Sequence, residues 1–158
     1  MEIYKYSIVE YSHKYKNDYI KLNLKWLKEH NLLEEKDEII IENVEDEVIS
    51  KGGKVYILKK EEEVVGTIGL IPNSFGSIEI IKLAVDKNHT GLGLGKKLMK
   101  KAISESYKMG FNKIILYTNS ILKPAIGLYE KLGFKRVKLD DNSDYEKVDV
   151  KMVYDFNV

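Results

Sequence analysis

Residues 90–97 read Thr-Gly-Leu-Gly-Leu-Gly-Lys-Lys, so three of the chain's 11 glycines fall within five positions. Before the run lies an apolar, strand-like stretch from Ile78 to Val85. After it comes a helical stripe of Leu94, Leu98, Met99, Ala102, Ile103 and Ser106. Backbone amides bared by glycines at a helix N-terminus form a concavity that suits an anion, above all a pyrophosphate. Lys96 and Lys97 add positive charge. The same residues would also serve a tight turn in which one or two glycines take positive φ. Spacing then separates the phosphate sites. A GxGxxG fingerprint needs glycine at 96 or at 98, where Lys96 and Leu98 stand. A GxxxxGK loop followed by Ser or Thr needs glycine at 90 and a hydroxyl at 97, where Thr90 and Lys97 stand. Dinucleotide binding and P-loop hydrolysis both drop out.

Few other residues offer chemistry. Glu79 is the one carboxylate in the apolar strand Ile78–Val85, where burial would raise its pKa; pairing with Lys82 on an exposed face is the competing reading. There is no cysteine, which excludes disulfides, Cys-based zinc sites and a cysteine-bound acyl intermediate. His13, His30 and His89 are far apart in sequence, so no metal site is expected, and His89 reads as a solvated loop residue. Net charge is +1, and Arg136 is the only arginine, so neither nucleic acid nor a membrane surface is an expected partner. The first residues, MEIYKYSIVEYSHKYK, alternate and carry charge, unlike a signal peptide, and no apolar run approaches membrane length; the expected compartment is the cytoplasm.

These residues need a scaffold. At 158 residues, 44% hydrophobic and 32% charged, the chain suits a single globular domain over residues 1–158. Ile3–Val9 alternates as a first strand. Tyr15, Tyr19, Leu22 and Trp26 form a helical stripe within residues 13–30, and a second helix is expected over Glu42–Ser50, ended by Gly52-Gly53. Val55–Lys59 and Val64–Ile71 read as a hairpin across Lys60-Glu61-Glu62. In Ile78–Val85 the apolar positions pass from even numbers (78, 80) to odd ones (81, 83, 85). Either the strand is buried on both faces or a bulge slips the alternation by one. A helix from Gly93 stops at Gly110, Lys113–Tyr117 is a short strand, and Leu122–Leu132 is a helix with Pro124 in its first turn and Gly133 past its end. Lys135–Leu139 pairs with a last strand, Val148–Tyr154, across the polar loop Asp140–Asp144. The expected architecture is α/β: a mixed, mostly antiparallel sheet with one parallel crossover, Ile78 to Tyr117, and helices on both faces.

Thr90-Gly91-Leu92-Gly93-Leu94-Gly95 resembles the pyrophosphate loop of the GNAT N-acetyltransferase superfamily, Arg/Gln-x-x-Gly-x-Gly/Ala, with threonine in place of Arg or Gln. A second block, LYTNSILKPAIGLYEKLGF (116–134), resembles that family's A-x-x-(L/F)-Y-x-x-x-G-F signature through Ala125, Leu128, Tyr129, Gly133 and Phe134. The element order is similar over nearly the whole chain. The resemblance implies acetyl-CoA as cosubstrate, lying where the strands of Ile78–Val85 and Lys113–Tyr117 splay apart. Backbone groups of Leu83, Ala84 and Val85 would hold the pantetheine. Amides of Gly91, Leu92, Gly93, Leu94, Gly95 and Lys96 would hold the pyrophosphate, with the Thr90 hydroxyl assisting.

Acetyl transfer to an amine needs a deprotonated amine, a stabilised oxyanion and a proton for the thiolate. The amine titrates near 10.4 and the thiol near 8.5, which leaves room for a base and an acid. The resemblance makes Tyr129 the acid, with packing beside Ile121, Ala125, Leu128 and Leu132 as the competing reading. Glu79, the one carboxylate in the strand beside the cleft, is the expected base, through water, and without cysteine direct attack in a ternary complex is the simplest route. Asn119 would bond the pantetheine amides or cap the helix near Leu122. Trp26, with Asn23 one turn before it, reads as core; the alternative, which the resemblance supplies, is that the pair lines the acceptor site. The acceptor is expected to be a primary amine of a small molecule or a peptide, bound by a monomer or homodimer. A non-catalytic acyl-CoA-sensing module on the same cleft is the alternative.

Overall fold

The computed structural model describes residues 5–140 and 145–157, so the expected strand residues at 3 and 4 and most of the 140–144 loop lie outside the described residues. β1 (Tyr6–Glu10) is followed by α1 (Lys16–Glu29), α2 (Glu35–Glu42) and the single-turn α3 (Val44–Glu47). Then come β2 (Lys54–Lys60), β3 (Glu63–Pro72), β4 (Ser77–Val85), α4 (Leu94–Lys108), β5 (Lys113–Thr118), α5 (Lys123–Leu132), β6 (Lys135–Val137) and β7 (Val150–Asp155). The seven strands form one sheet in the order β1-β2-β3-β4-β5-β7-β6. Each described pair is antiparallel except β4–β5.

Alternation along the central strands makes two cores. Tyr56 and Leu58 of β2 face α4 and α5, joining Leu94, Leu98, Met99, Ala102, Ile126 and Tyr129. Val55 and Ile57 face the opposite way, joining Tyr19, Ile41, Val44 and Val48 beneath α1–α3. A strand sandwiched in this way reads as a continuous apolar run, because neither face meets water.

The sequence-based expectations hold for most elements and fail at one helix. The second helix is not Glu42–Ser50: α2 begins seven residues earlier, and residues 44–51 form only short turns. Its start is hard to read because Glu34, not Ser, Thr, Asp or Asn, caps it. Glu34 and Asp37 complete a reciprocal capping box, with the Glu34 amide donating to Asp37 Oδ2 at 2.9 Å. The β-branched Ile39-Ile40-Ile41 run also lowers its helical signal. Gly52 does stop this segment, at φ +86°.

Both explanations of the slipped alternation in β4 are correct. Ile81 packs into the α1–α3 core while Ile78 and Ile80 lie in the other, so the strand is buried on both faces. A bulge is present too, at Lys82-Leu83, two residues beyond the apparent slip. Thr67 pairs with Ala84 and Gly69 with Ile81, so two β4 residues oppose Ile68 alone.

Candidate functional site

The parallel β4–β5 register runs from Ser77↔Lys113 to Ile80↔Leu116 and stops there. Beyond Leu116, β5 stays paired with β7, while β4 stays paired with β3. The two strands therefore part, leaving the β4 edge past Ile80 without a strand neighbour on the β5 side among the described residues. A cleft of about 510 Å³ opens at this point; Ile80, Leu83, Leu116, Thr118, Glu79 and Tyr129 are among its lining residues.

Glu79 and Tyr129 reach this cleft from opposite faces of the sheet. Tyr129 belongs to the α4–α5 core, is only 7% exposed, and packs its ring 6.2 Å from that of Phe134. Desolvation pushes its phenol up to about 12, so it stays protonated across the neutral range and keeps a proton to donate. Among the described residues no group hydrogen-bonds its hydroxyl. Glu79 alternates with Ile78 and Ile80 and so points to the α1–α2 side. Burial holds its carboxyl above the usual range, opposed by a hydrogen bond from Asn73 and by the charges of Lys82 and Lys151. Lys82 is not its ion-pair partner: the Lys82 ammonium binds Asp37 at 2.5 Å. Among the described residues no cation comes within ion-pairing distance of Glu79.

The α1–α2 side of the cleft is lined by Asn23, Trp26, Glu34, Asp37, Tyr117 and Tyr145, among others. Its polar groups are tied to one another. Glu34 accepts the backbone amides of Glu146 and Lys147, each at 3.0 Å, and so joins α2 to the segment before β7. Tyr117 donates to Asp140 at 3.1 Å, and Lys151 binds the same carboxylate at 3.0 Å. Trp26 is a wall residue, not core: it lines the cleft and stacks on His30 at 4.0 Å. Asn23 is the buried member of the pair.

The glycine loop leads into α4. Gly91 and Gly93 have φ of +80° and +73°, and a Cβ on either would meet nothing within 4 Å. These two glycines therefore serve backbone conformation, not space. Gly95 is helical and lies 3.8 Å from Leu128 where its Cβ would be. Gly93 caps α4 without any side-chain hydrogen bond, so the first-turn amides, including those of Leu94, Gly95 and Lys96, carry no side-chain cap. The Thr90 hydroxyl donates to Lys87 O at 3.0 Å, which commits its proton to the loop. Leu83, Ala84 and Val85 form the β4 edge leading to this loop.

Asn119 lines the cleft with both ends of its amide engaged: Oδ1 accepts the Ile121 amide and Nδ2 donates to Lys147 O. Asn119 therefore does not cap α5, whose N-cap Leu122 has no side-chain hydrogen bond; it closes a turn ahead of that helix and ties it across to residue 147. His89 differs from its expected role as a solvated residue. Its side chain is 13% exposed, and Nδ1 is 2.9 Å from the Tyr6 hydroxyl. Among the described residues no three His, Cys, Asp or Glu side chains cluster as metal ligands. No helix there is long and apolar enough to cross a membrane.

This geometry coincides with a family match. The family model for Acetyltransferase (GNAT) family covers residues 13–134. The chain belongs to that family. Its structure superposes on a GNAT acetyltransferase from Staphylococcus aureus Mu50 with TM-score 0.86 at 26% identity, over 96% of this chain and 99% of that one. The PaiA N-acetyltransferase of Thermoplasma acidophilum, solved with coenzyme A, shares the fold at TM-score 0.75 and 20% identity, over 95% and 98% of the two chains. Human N-acetyltransferase 8B is 32% identical over 54% of this chain and 40% of its own length. YjgM of Escherichia coli K12, an uncharacterised N-acetyltransferase, is 37% identical over 58% of this chain and 57% of its own. The matches to these two curated relatives thus span about half of each relative. Acyl transfer is the family's general chemistry.

Residues that sequence reasoning missed lie on the α1–α2 side of the sheet. Asp37, Thr67, Tyr117 and Tyr145 gave no motif, and their only signals were polar residues inside apolar periods, as with Asn23 in the α1 stripe and Thr67 in β3.

Proposed function

We propose that the protein transfers the acetyl group of acetyl-CoA to a primary amine of a small molecule or peptide, by direct attack within a ternary complex. The observation that carries this reading is the arrival of Glu79 and Tyr129 at one cleft from opposite faces of the sheet, beside the unpaired β4 edge. The thioester carbon would then sit at the splay, with the acceptor on the Glu79 side and the sulfur on the Tyr129 side.

Acetyl-CoA supplies the activated acyl group; the protein's residues supply position and protons. The first-turn amides of α4 and the loop glycines suit the pyrophosphate, as a helix N-terminus favours anions. The free β4 edge at Leu83–Val85 suits the pantetheine amides as another strand would. Glu79, with no cation at ion-pairing distance among the described residues, draws the ammonium form of the amine in and takes its proton, directly or through water. With its pKa raised by burial, it is a stronger base than an exposed glutamate. The amine nitrogen then bonds to the acyl carbon and loses its second proton to water, the C–S bond breaks, and the thiolate takes the phenolic proton of Tyr129. Tyr129 is rejoined to solvent protons after CoA leaves. The absence of cysteine removes the covalent alternative through a thiol.

A thiol-release assay over a panel of primary amines, with CoA binding measured by calorimetry, tests the proposal. Amine-dependent thiol release matched by acetylated product supports it. CoA binding without release for any amine would make the chain an acyl-CoA-sensing module. No CoA binding at tens of micromolar would sink both.

A further inference from the structure

The bulge in β4 begins just past the splay, and groups from three other elements hold it. Lys82 has φ +52°, a left-handed conformation that non-glycine residues adopt at a cost. Its carbonyl accepts a hydrogen bond from Thr67 Oγ1 at 2.9 Å, and Thr67 Oγ1 in turn accepts one from Asn23 Nδ2 at 3.1 Å. Asn23 Nδ2 also donates to Tyr19 O at 3.0 Å, which fixes the amide against α1 itself. A hydroxyl has one proton, and the alternative contact from Thr67 Oγ1 to Asn23 Oδ1 is longer, at 3.4 Å. The order Asn23 to Thr67 to Lys82 carbonyl therefore satisfies the hydroxyl as both acceptor and donor. At the other end of the residue, the Lys82 ammonium is held by Asp37 of α2.

Nothing in the sheet itself calls for this chain of polar groups. Thr67 is 0% and Asn23 2% exposed, in positions where apolar side chains would fill the same space without polar atoms to satisfy. What the chain does hold is the one strained peptide between the splay at Ile80 and the free edge at Leu83–Val85. An extra residue in a strand reverses which way the following groups face, so the bulge decides how that edge presents itself to the cleft.

We propose that Asn23 and Thr67 are positioning residues for acyl transfer: they hold the Lys82 carbonyl in the bulge and so aim the β4 edge at the thioester. The inference rests on the acetyl-CoA reading of the cleft.

The test compares Thr67→Val, which keeps the shape and removes the hydroxyl, with Thr67→Ser, which keeps the hydroxyl. Steady-state rates are measured with acetyl-CoA and an amine that the parent acetylates, and CoA affinity by calorimetry. Thr67→Val is expected to lower kcat about tenfold or more while the CoA dissociation constant moves less than about threefold, because the pyrophosphate loop is untouched. Thr67→Ser is expected to keep kcat within about threefold of the parent. Three results overturn the clamp: a Thr67→Val kcat within twofold of the parent's, a loss that Thr67→Ser shares, or kcat and CoA affinity falling in parallel. If Thr67→Val does not fold, Asn23→Leu removes the donor from outside the sheet and must lower kcat by about threefold or more at unchanged CoA affinity. A parent that releases thiol with no amine fails the acetyltransferase reading first and takes the clamp with it. A parent that turns over beside an unimpaired Thr67→Val sinks the clamp alone.

Discussion

The two faces of the sheet are organised differently. On the α4–α5 face, the parts that suit the cofactor follow one another in sequence: β4, the glycine loop, α4, β5 and α5 occupy residues 77–132. On the α1–α3 face, the cleft is closed by contacts between distant residues. Asp37 meets Lys82, Asn23 meets Thr67, and Glu34 meets the amides of Glu146 and Lys147. A region assembled from neighbours in sequence is built on local turn chemistry. One assembled from distant partners depends on each long-range polar contact, several of them buried. The proposed cofactor half should thus tolerate changes to its loop side chains, and the proposed acceptor half should not tolerate changes to its pairs.

The largest expected effect is chemical and lies on the acceptor face. Glu79→Gln should lower kcat/KM by roughly 10²–10⁴. In the parent, the base must be ionised, so activity should rise with pH through a pKa above the usual glutamate value near 4.3, because burial raises it. The variant should lose that acidic limb. The stability effect runs the other way: a carboxyl raised in the folded state favours folding when protonated, and that contribution is lost as pH rises through the folded pKa. Chemical denaturation at pH 7 should therefore find Glu79→Gln at least as stable as the parent. A clearly less stable variant would mean that the Glu79 charge is structural.

Asp37→Ala comes next. It strands the Lys82 ammonium, 12% exposed, and removes half of the α2 capping box. Urea denaturation should show a loss of about 3 kcal/mol, in the range for removing one partner of a buried pair. A loss under about 0.5 kcal/mol, ordinary for a surface pair, would erase the distinction between the two faces.

The smallest effect belongs to the cofactor face. Thr90→Arg deletes only the Thr90–Lys87 bond and adds a cation beside the loop, so CoA affinity should tighten or stay unchanged by calorimetry. Clear weakening would mean that the loop holds its ligand by the Thr90 side chain and not by amides.

The same difference decides what could be read in advance. Gly91, Gly93 and Gly133 mark real left-handed positions, and the helical stripe from Leu94 matches α4, because turn residues and a 3.6 period are local signals. The β4 bulge left a trace in its alternation but was displaced by two residues, since Ile81 is buried on the second face and hid the true slip at Lys82-Leu83. By contrast, α2 was misplaced because a glutamate caps it. His89 was taken as solvated because its partner, Tyr6, is 83 residues away. No window along the chain contains either end of the Asp37–Lys82 pair together with the other.

Amine-dependent thiol release from acetyl-CoA, by the parent and by Tyr129→Phe side by side, bears most directly on acyl transfer at the splay. Release by the parent should match acetylated amine one for one. Tyr129→Phe should bind CoA with nearly unchanged affinity and turn over about 10²-fold more slowly. A variant as fast as the parent would contradict the placing of the thiol on the Tyr129 side of the cleft, and a parent that binds CoA yet releases no thiol with any amine would contradict acetyl transfer itself.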